Sequence, residues 1–239
     1  LSASDTLHPP AQRGPYLADR GPLLALIAAL AAYALVALVD VYVGVRLHVL
    51  AGEEQRAPVT SPEALQSWYA LYDAVGRLQT AVYALCVVAF VVWFFLIRRS
   101  VERLVPDRVV MGPGWAIVAW FIPLVNFVLP YRIAVGMWAA CSPTPPSDGR
   151  SRAPMWPVRL WWGLFLAANL LSRHAALMFD IAQTFADLQT AVELYIVVDL
   201  LFVTAAGAAI HFAVRLTAMQ RAEAAGADGP GHVVAHASS

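Results

Sequence analysis

Lysine is absent from this chain: all 16 basic residues are arginine, and 16 acidic residues balance them to a formal net charge of zero. Without a positive excess there is no electrostatic footprint for nucleic acid, which excludes that partner class. Charge of either sign is scarce, at 13% of residues against roughly 25% in soluble domains, while 60% are hydrophobic. Only two cysteines occur, Cys86 and Cys141, far apart and without CxxC spacing, so two inert thiols are expected and no disulfide or thiolate metal cage. The chain has no GxSxG, no phosphate loop and no paired-aspartate box. Its one histidine pair at helical spacing, His232 and His236, lacks the glutamate a zinc hydrolase helix needs. Neither a metal nor a cofactor is expected, and an intramembrane enzyme is the least favoured of the functional classes.

Long apolar runs take the place of charge. A stretch of about 20 apolar residues, rising about 1.5 Å each, covers a hydrocarbon core of about 30 Å. The expected architecture is an all-α polytopic membrane bundle with spanning helices at about 22–50, 76–98, 156–179 and 190–216. Residues 1–21 and 217–239 are expected as disordered tails. The first apolar run is too long for a signal-peptide core, so no cleavage is expected. Ser61, Pro62 and Glu63 predict a helix start, with a side-chain cap, an imino acid where its missing N–H costs nothing, and a carboxylate at the positive end. Ala28 and Ala32 are the small residues expected to admit a neighbouring helix. Trp68, Tyr69, Tyr72, Trp115, Trp120, Trp138, Trp156, Trp161 and Trp162 are expected as anchors in the headgroup belts.

Segment 115–140 is the exception, because Pro123 and Pro130 interrupt an otherwise apolar run and free carbonyls that lipid cannot satisfy. Either it is a kinked fifth span, or it enters and returns. With a cytoplasmic N-terminus and four spans, arginines divide 11 inside to 4 outside; with five spans they divide 7 to 8. Arginines accumulate on the cytoplasmic side, so the four-span threading is expected, with 115–140 broken and re-entrant or interfacial, and both termini cytoplasmic. Asn126 is expected near the tip, satisfying freed backbone groups.

The same segment carries a resemblance. GWAIVAWFIPLVNFVLPYRIAVGMW (114–138), after an apolar helix ending in arginines and before Trp161-Trp162, resembles the bacterial membrane family catalogued as domain of unknown function 4328. The motif positions are Gly114, Trp115, Trp120, Phe121, Pro123, Asn126, Pro130, Tyr131 and Trp138. A glutamine usual after the Pro-Tyr pair and an Arg-Asp pair beyond it are replaced here by Arg132, Val135 and Gly136. The resemblance implies a multi-pass protein of a bacterial plasma membrane, without an assigned activity.

Ionisable groups inside lipid are costly and mark candidate sites. Asn126, Asn169 and Asp199 fall at middle depth on this threading, with Asp40 and Arg173 toward the outer boundary. One reading is a polar cavity, open to the outside, for transport or binding of a small polar or cationic ligand. The simpler reading pairs Asp40 with Arg173, lets Glu193 reach the interface, and leaves the asparagines as hydrogen-bonding glue. On that reading the protein is a non-catalytic membrane component whose partners are the lipid bilayer and either a second copy or another membrane protein.

Overall fold

A computed structural model of the protein describes residues 20–56, 62–104, 112–142 and 153–227. All regular elements among them are helical: α1 (Gly21–Arg56), α2 (Pro62–Leu104), α3 (Trp115–Val118), a 3-10 turn (Val125–Phe127), α4 (Leu129–Ala140), α5 (Trp156–Asp180) and α6 (Phe185–Ala227). Three helical stretches are long and apolar enough to cross a membrane, Gly21–Leu50, Gln66–Leu104 and Ala186–Ala225. The fourth expected span, α5, is 25 residues long, about 37 Å at the usual rise, but Asn169, Arg173 and His174 dilute its apolar run.

Helix α2 begins at Pro62 as the sequence predicts; its expected cap, Ser61, lies outside the described residues. Helix α6 opens on a reciprocal cap. Thr184 Oγ1 accepts the Asp187 N–H at 3.1 Å, and Asp187 Oδ2 accepts the Thr184 N–H at 3.1 Å. It then runs to Ala227, through residues expected as tail, because Leu216, Thr217 and Gln220 are buried against the bundle. Of the expected tails, residues 1–19 and 228–239 lie outside the described residues.

The packing order is α2, α1, α6, α5. A buried stripe on α1, Leu26, Leu30, Tyr33, Ala37, Asp40, Val43 and Leu47, repeats at three and four residues and faces α2 and α6. Ala28 and Ala32 lie on the opposite, exposed face. Close approach comes instead from Gly44, where an added Cβ would stand 3.4 Å from Ile196 and 3.6 Å from Tyr72, and from buried Ala205, Ala206, Ala209 and Ala213 of α6. Helix α5 lies antiparallel to α6, with Trp156 stacked on His211 at one end (5.1 Å) and Phe179 against Tyr195 at the other (6.0 Å).

Segment 115–140 is not a continuous helix. Pro123 lies in the turn between α3 and the 3-10 turn, and Leu124 just after it, with φ 65° and ψ −41°, is the centre of a γ-turn closed by the Val125 N–H donating to Pro123 O at 2.8 Å, a strained conformation for a residue with a side chain. Pro130 breaks nothing: it occupies the first turn of α4, where its missing N–H has no helical partner to lose. The N–H groups of Trp120, Phe121, Val125, Asn126, Phe127 and Val128 are satisfied by carbonyls two to four residues back. The break therefore leaves few bare donors, and Phe121, Leu124 and Val128 point outward at the turn. Among the described residues no hydrogen bond joins the Asn126 carboxamide to a freed carbonyl, and its Oδ1 is buried without a protein partner.

The broken segment wedges between α2 and α5 at one end of the bundle. Trp120 meets Phe90 (5.6 Å), Phe94 (6.0 Å) and Phe165 (6.0 Å), while Tyr131 stacks on Trp162 and Trp138 on Phe212. Trp161 lies almost parallel to Phe212, ring centres 4.7 Å apart. Trp138, Trp161 and Trp162 are thus core residues, a correction to their expected place in the belt. Stacked rings in a wedge between helices leave no face for headgroups. Trp115 and Trp156 remain exposed.

Candidate functional site

At the end away from the wedge α2 and α5 are not packed along one another, and the gap is a cavity of about 710 Å³. Each wall comes from a helix stripe. Asp40 stands one turn beyond Ala37 on α1, Asp199 beside Val198 on α6, Gln79 one turn after Val75 on α2, and Asn169 beside Ala168 on α5.

The two aspartates are buried, each 4% exposed, and their carboxyl groups meet across the α1–α6 contact. Ionised carboxylates only accept hydrogen bonds, so two can face each other at this range only with a proton or a cation between them. Gln79 fixes one of them: its Nε2 donates to Asp199 Oδ1 at 2.6 Å and reaches Tyr33 Oη at 3.3 Å. Asp40 Oδ1 is buried without a protein hydrogen-bond partner. Among the described residues no arginine or histidine pairs with either aspartate.

Aromatic rings line the rest. Tyr33, Tyr83 and Phe202 pack pairwise at 5.7–5.9 Å and form a floor, beneath which lies a smaller apolar cavity of about 100 Å³. Tyr69, Tyr72 and Tyr195 complete the upper wall; Tyr69 and Tyr72, expected at the headgroup belt, face this space instead. Trp68 meets the Arg46 guanidinium, 5.6 Å from the ring centre. Near the opening Arg77 is bound to Asp73 one turn before it, and both side chains are largely exposed.

Of the residues singled out in the sequence, Asp40, Asn169 and Asp199 line this cavity. Asn126 and Arg173 do not. Asn126 lies in the wedge at the opposite end, in the middle of the 3-10 turn, while Arg173 is exposed on α5 next to the lining residue Ser172. The expected Asp40–Arg173 pair does not form, because α6 packs between α1 and α5 and the Asp40 carboxyl meets Asp199 instead. Glu193 faces His48 at 3.6 Å. Sequence reasoning passed over Gln79 and Tyr33. Their signal was available: Gln79 is an amide at the threshold of the apolar run 81–97, and Tyr33 lies seven residues before Asp40, on the same face.

No group of three or more His, Cys, Asp or Glu side chains able to hold a metal ion occurs among the described residues. The arrangement suits a ligand that brings positive charge and an apolar body. The two carboxyl groups offer the counter-charge, and tyrosine faces attract a cation by about 0.5–2 kcal/mol each when desolvated.

The sequence profile of a family described as a domain of unknown function, DUF4328, matches residues 56–218. No curated protein and no solved structure matches the chain. The matched span contains Gln79, Asn169 and Asp199; Asp40 and Tyr33 lie on α1, before it.

Proposed function

This chain belongs to the DUF4328 family, a domain of unknown function, and we propose that it binds a small organic cation in the cavity between α2 and α5, as a carrier or receptor for that ligand. The observation that carries this reading is the Asp40–Asp199 pair: two buried carboxyl groups face to face, with no basic side chain paired to either among the described residues and a ring of aromatic residues around them. An amine or quaternary ammonium is the ligand class that satisfies both features.

The threading that goes with this reading has four spans, α5 being the fourth, and a segment 115–140 that enters and leaves on one side of a bacterial plasma membrane. Two features support it. Helix α5 runs antiparallel along α6 from His211 to Tyr195, and the start of α1 shares a cavity with the ends of α2 and α6, where arginines collect. On the arginine rule that end, with both termini, is cytoplasmic, and the aspartate cavity opens to the outside.

A second reading has one supporting observation. A proton shared by Asp40 and Asp199 would itself join α1 to α6, as glue in a non-catalytic component that assembles with a second copy or another membrane protein.

Titration of the purified full-length chain with tetramethylammonium and with a primary alkylamine, followed by calorimetry and thermal unfolding, separates the two. Binding by the wild type that weakens about tenfold or more in both Asp40→Asn and Asp199→Asn, with helix content unchanged, is the expected result; tenfold corresponds to about 1.4 kcal/mol. Absence of binding to both probes, or binding by both variants as tight as that of the wild type, refutes the ligand site and leaves the helix-joining role.

A further inference from the structure

A second cavity, of about 180 Å³, lies at the arginine-rich end, between the first turn of α1 and the C-terminal parts of α2 and α6. Four of the residues that line it each carry a buried side-chain atom without a protein hydrogen-bond partner: Trp93 Nε1, Thr217 Oγ1, Gln220 Nε2 and Arg221 Nη2. Gln220 and Thr217 are 5% and 6% exposed, so bulk water does not compensate them. The indole and guanidinium nitrogens can only donate, and a buried donor left unmatched costs about 1–3 kcal/mol. Arg99 and Arg103 extend the positive wall from α2, and no aspartate or glutamate is among the lining residues.

We propose that this cavity is a binding site for a phosphate-bearing anion. The chemistry follows from the donor set. Several donors from two helices converge with three guanidinium groups, whose planar fork matches phosphate oxygens, and the first turn of α1 turns its positive end to the same space. The phosphate comes from one of two sources, the headgroup of an anionic phospholipid or a free phosphate. Basic pockets between membrane helices on the cytoplasmic side are sites of the first kind. This site is independent of the aspartate cavity, at the opposite end of the bundle, and has the opposite charge preference.

The test uses the delipidated full-length chain in a neutral detergent, with phosphatidylglycerol, phosphatidylcholine and inorganic phosphate as separate probes, read by native mass spectrometry and thermal unfolding. Retained phosphatidylglycerol with little phosphatidylcholine identifies the headgroup as the source. Stabilisation by millimolar inorganic phosphate, and displacement of the lipid by it, identifies a free phosphate. In either case Arg221→Ala, and separately the exposed-site double variant Arg99→Ala/Arg103→Ala, are expected to weaken binding about fivefold to tenfold or more, at roughly 1 kcal/mol per arginine. Gln220→Leu should weaken it without changing charge. Arg159→Ala, an exposed arginine on α5 outside the cavity, should have no effect. The proposal is overturned if none of the probes binds in preference to phosphatidylcholine, or if Arg159→Ala weakens binding as much as Arg99→Ala/Arg103→Ala. The exposed pair keeps the test decisive even where Arg221→Ala fails to fold.

Discussion

Tyr83 Oη donates a hydrogen bond to Asn169 Oδ1 at 3.0 Å, across the gap that separates α2 from α5. Asn169 is held in turn by its own helix, Nδ2 donating to Phe165 O at 2.8 Å. Two helices that do not pack along each other are therefore tied by a polar strut at the edge of the cavity floor.

Replacing the strut should loosen the cleft. Tyr83→Phe keeps the ring against Tyr33 and Phe202 and removes only the hydroxyl, so unfolding in mixed micelles should report a loss of about 0.6–1.7 kcal/mol, the range for interhelical hydrogen bonds in membranes. Stability equal to wild type would mean that the strut contributes nothing.

The stacked core at the other end should be far less tolerant. Trp161 stands against Phe212 at 4.7 Å and Phe90 at 5.3 Å and is 2% exposed. Trp161→Ala should cost about 3–5 kcal/mol and reduce the yield of folded protein. Trp115→Ala, at an exposed site, should cost under about 1 kcal/mol. Similar losses at both positions would contradict the division into core and surface tryptophans.

Cys141 supplies a pH signature. Burial, and then the nearby Glu223 carboxylate, push its thiol up to about 12. An unfolded cysteine ionises near pH 8.5. The folded-state pKa is the higher of the two, so the contribution of the neutral thiol is complete below about pH 8.5 and is lost progressively as pH rises toward 12. Alkylation at pH 8 should leave Cys141 unmodified in the folded protein and modify it in denaturant. Rapid labelling of the native chain at that position would refute the burial.

Side-specific labelling decides the threading. Thr184 is unsuitable as a reporter, because it caps α6 together with Asp187 and its loss would cost about 1 kcal/mol. Its exposed neighbour Gln183 serves instead. In a Cys86→Ala/Cys141→Ala background, Gln183→Cys should react with an impermeant maleimide applied outside intact cells, and Ser147→Cys only after lysis. The reverse pattern, or both on one side, would rule out the four-span arrangement.

What the sequence could and could not disclose divides on a single physical difference. Three long apolar helices were legible because a hydrocarbon core demands length and composition, both of which are properties of one segment at a time. The start of α2 at Pro62 was legible for the same local reason, and so was the break at Pro123. The facing of each helix was not. When one side of a helix meets lipid and the other meets protein, both are apolar, and the periodicity that marks a buried face in water fades. Ala28 and Ala32 therefore looked as well suited to packing as Ala37 and Gly44, and the tryptophans looked like belt anchors until their stacking partners were known. Asp40 and Asp199 stood out by charge alone, but their meeting required α1 to lie against α6, and the loss of the Asp40–Arg173 pair followed from α6 lying between α1 and α5. Composition determined that this chain belongs in a membrane; which buried polar groups share a cavity was decided only by the order in which the helices pack, because no local rule fixes which face of an all-apolar helix turns inward.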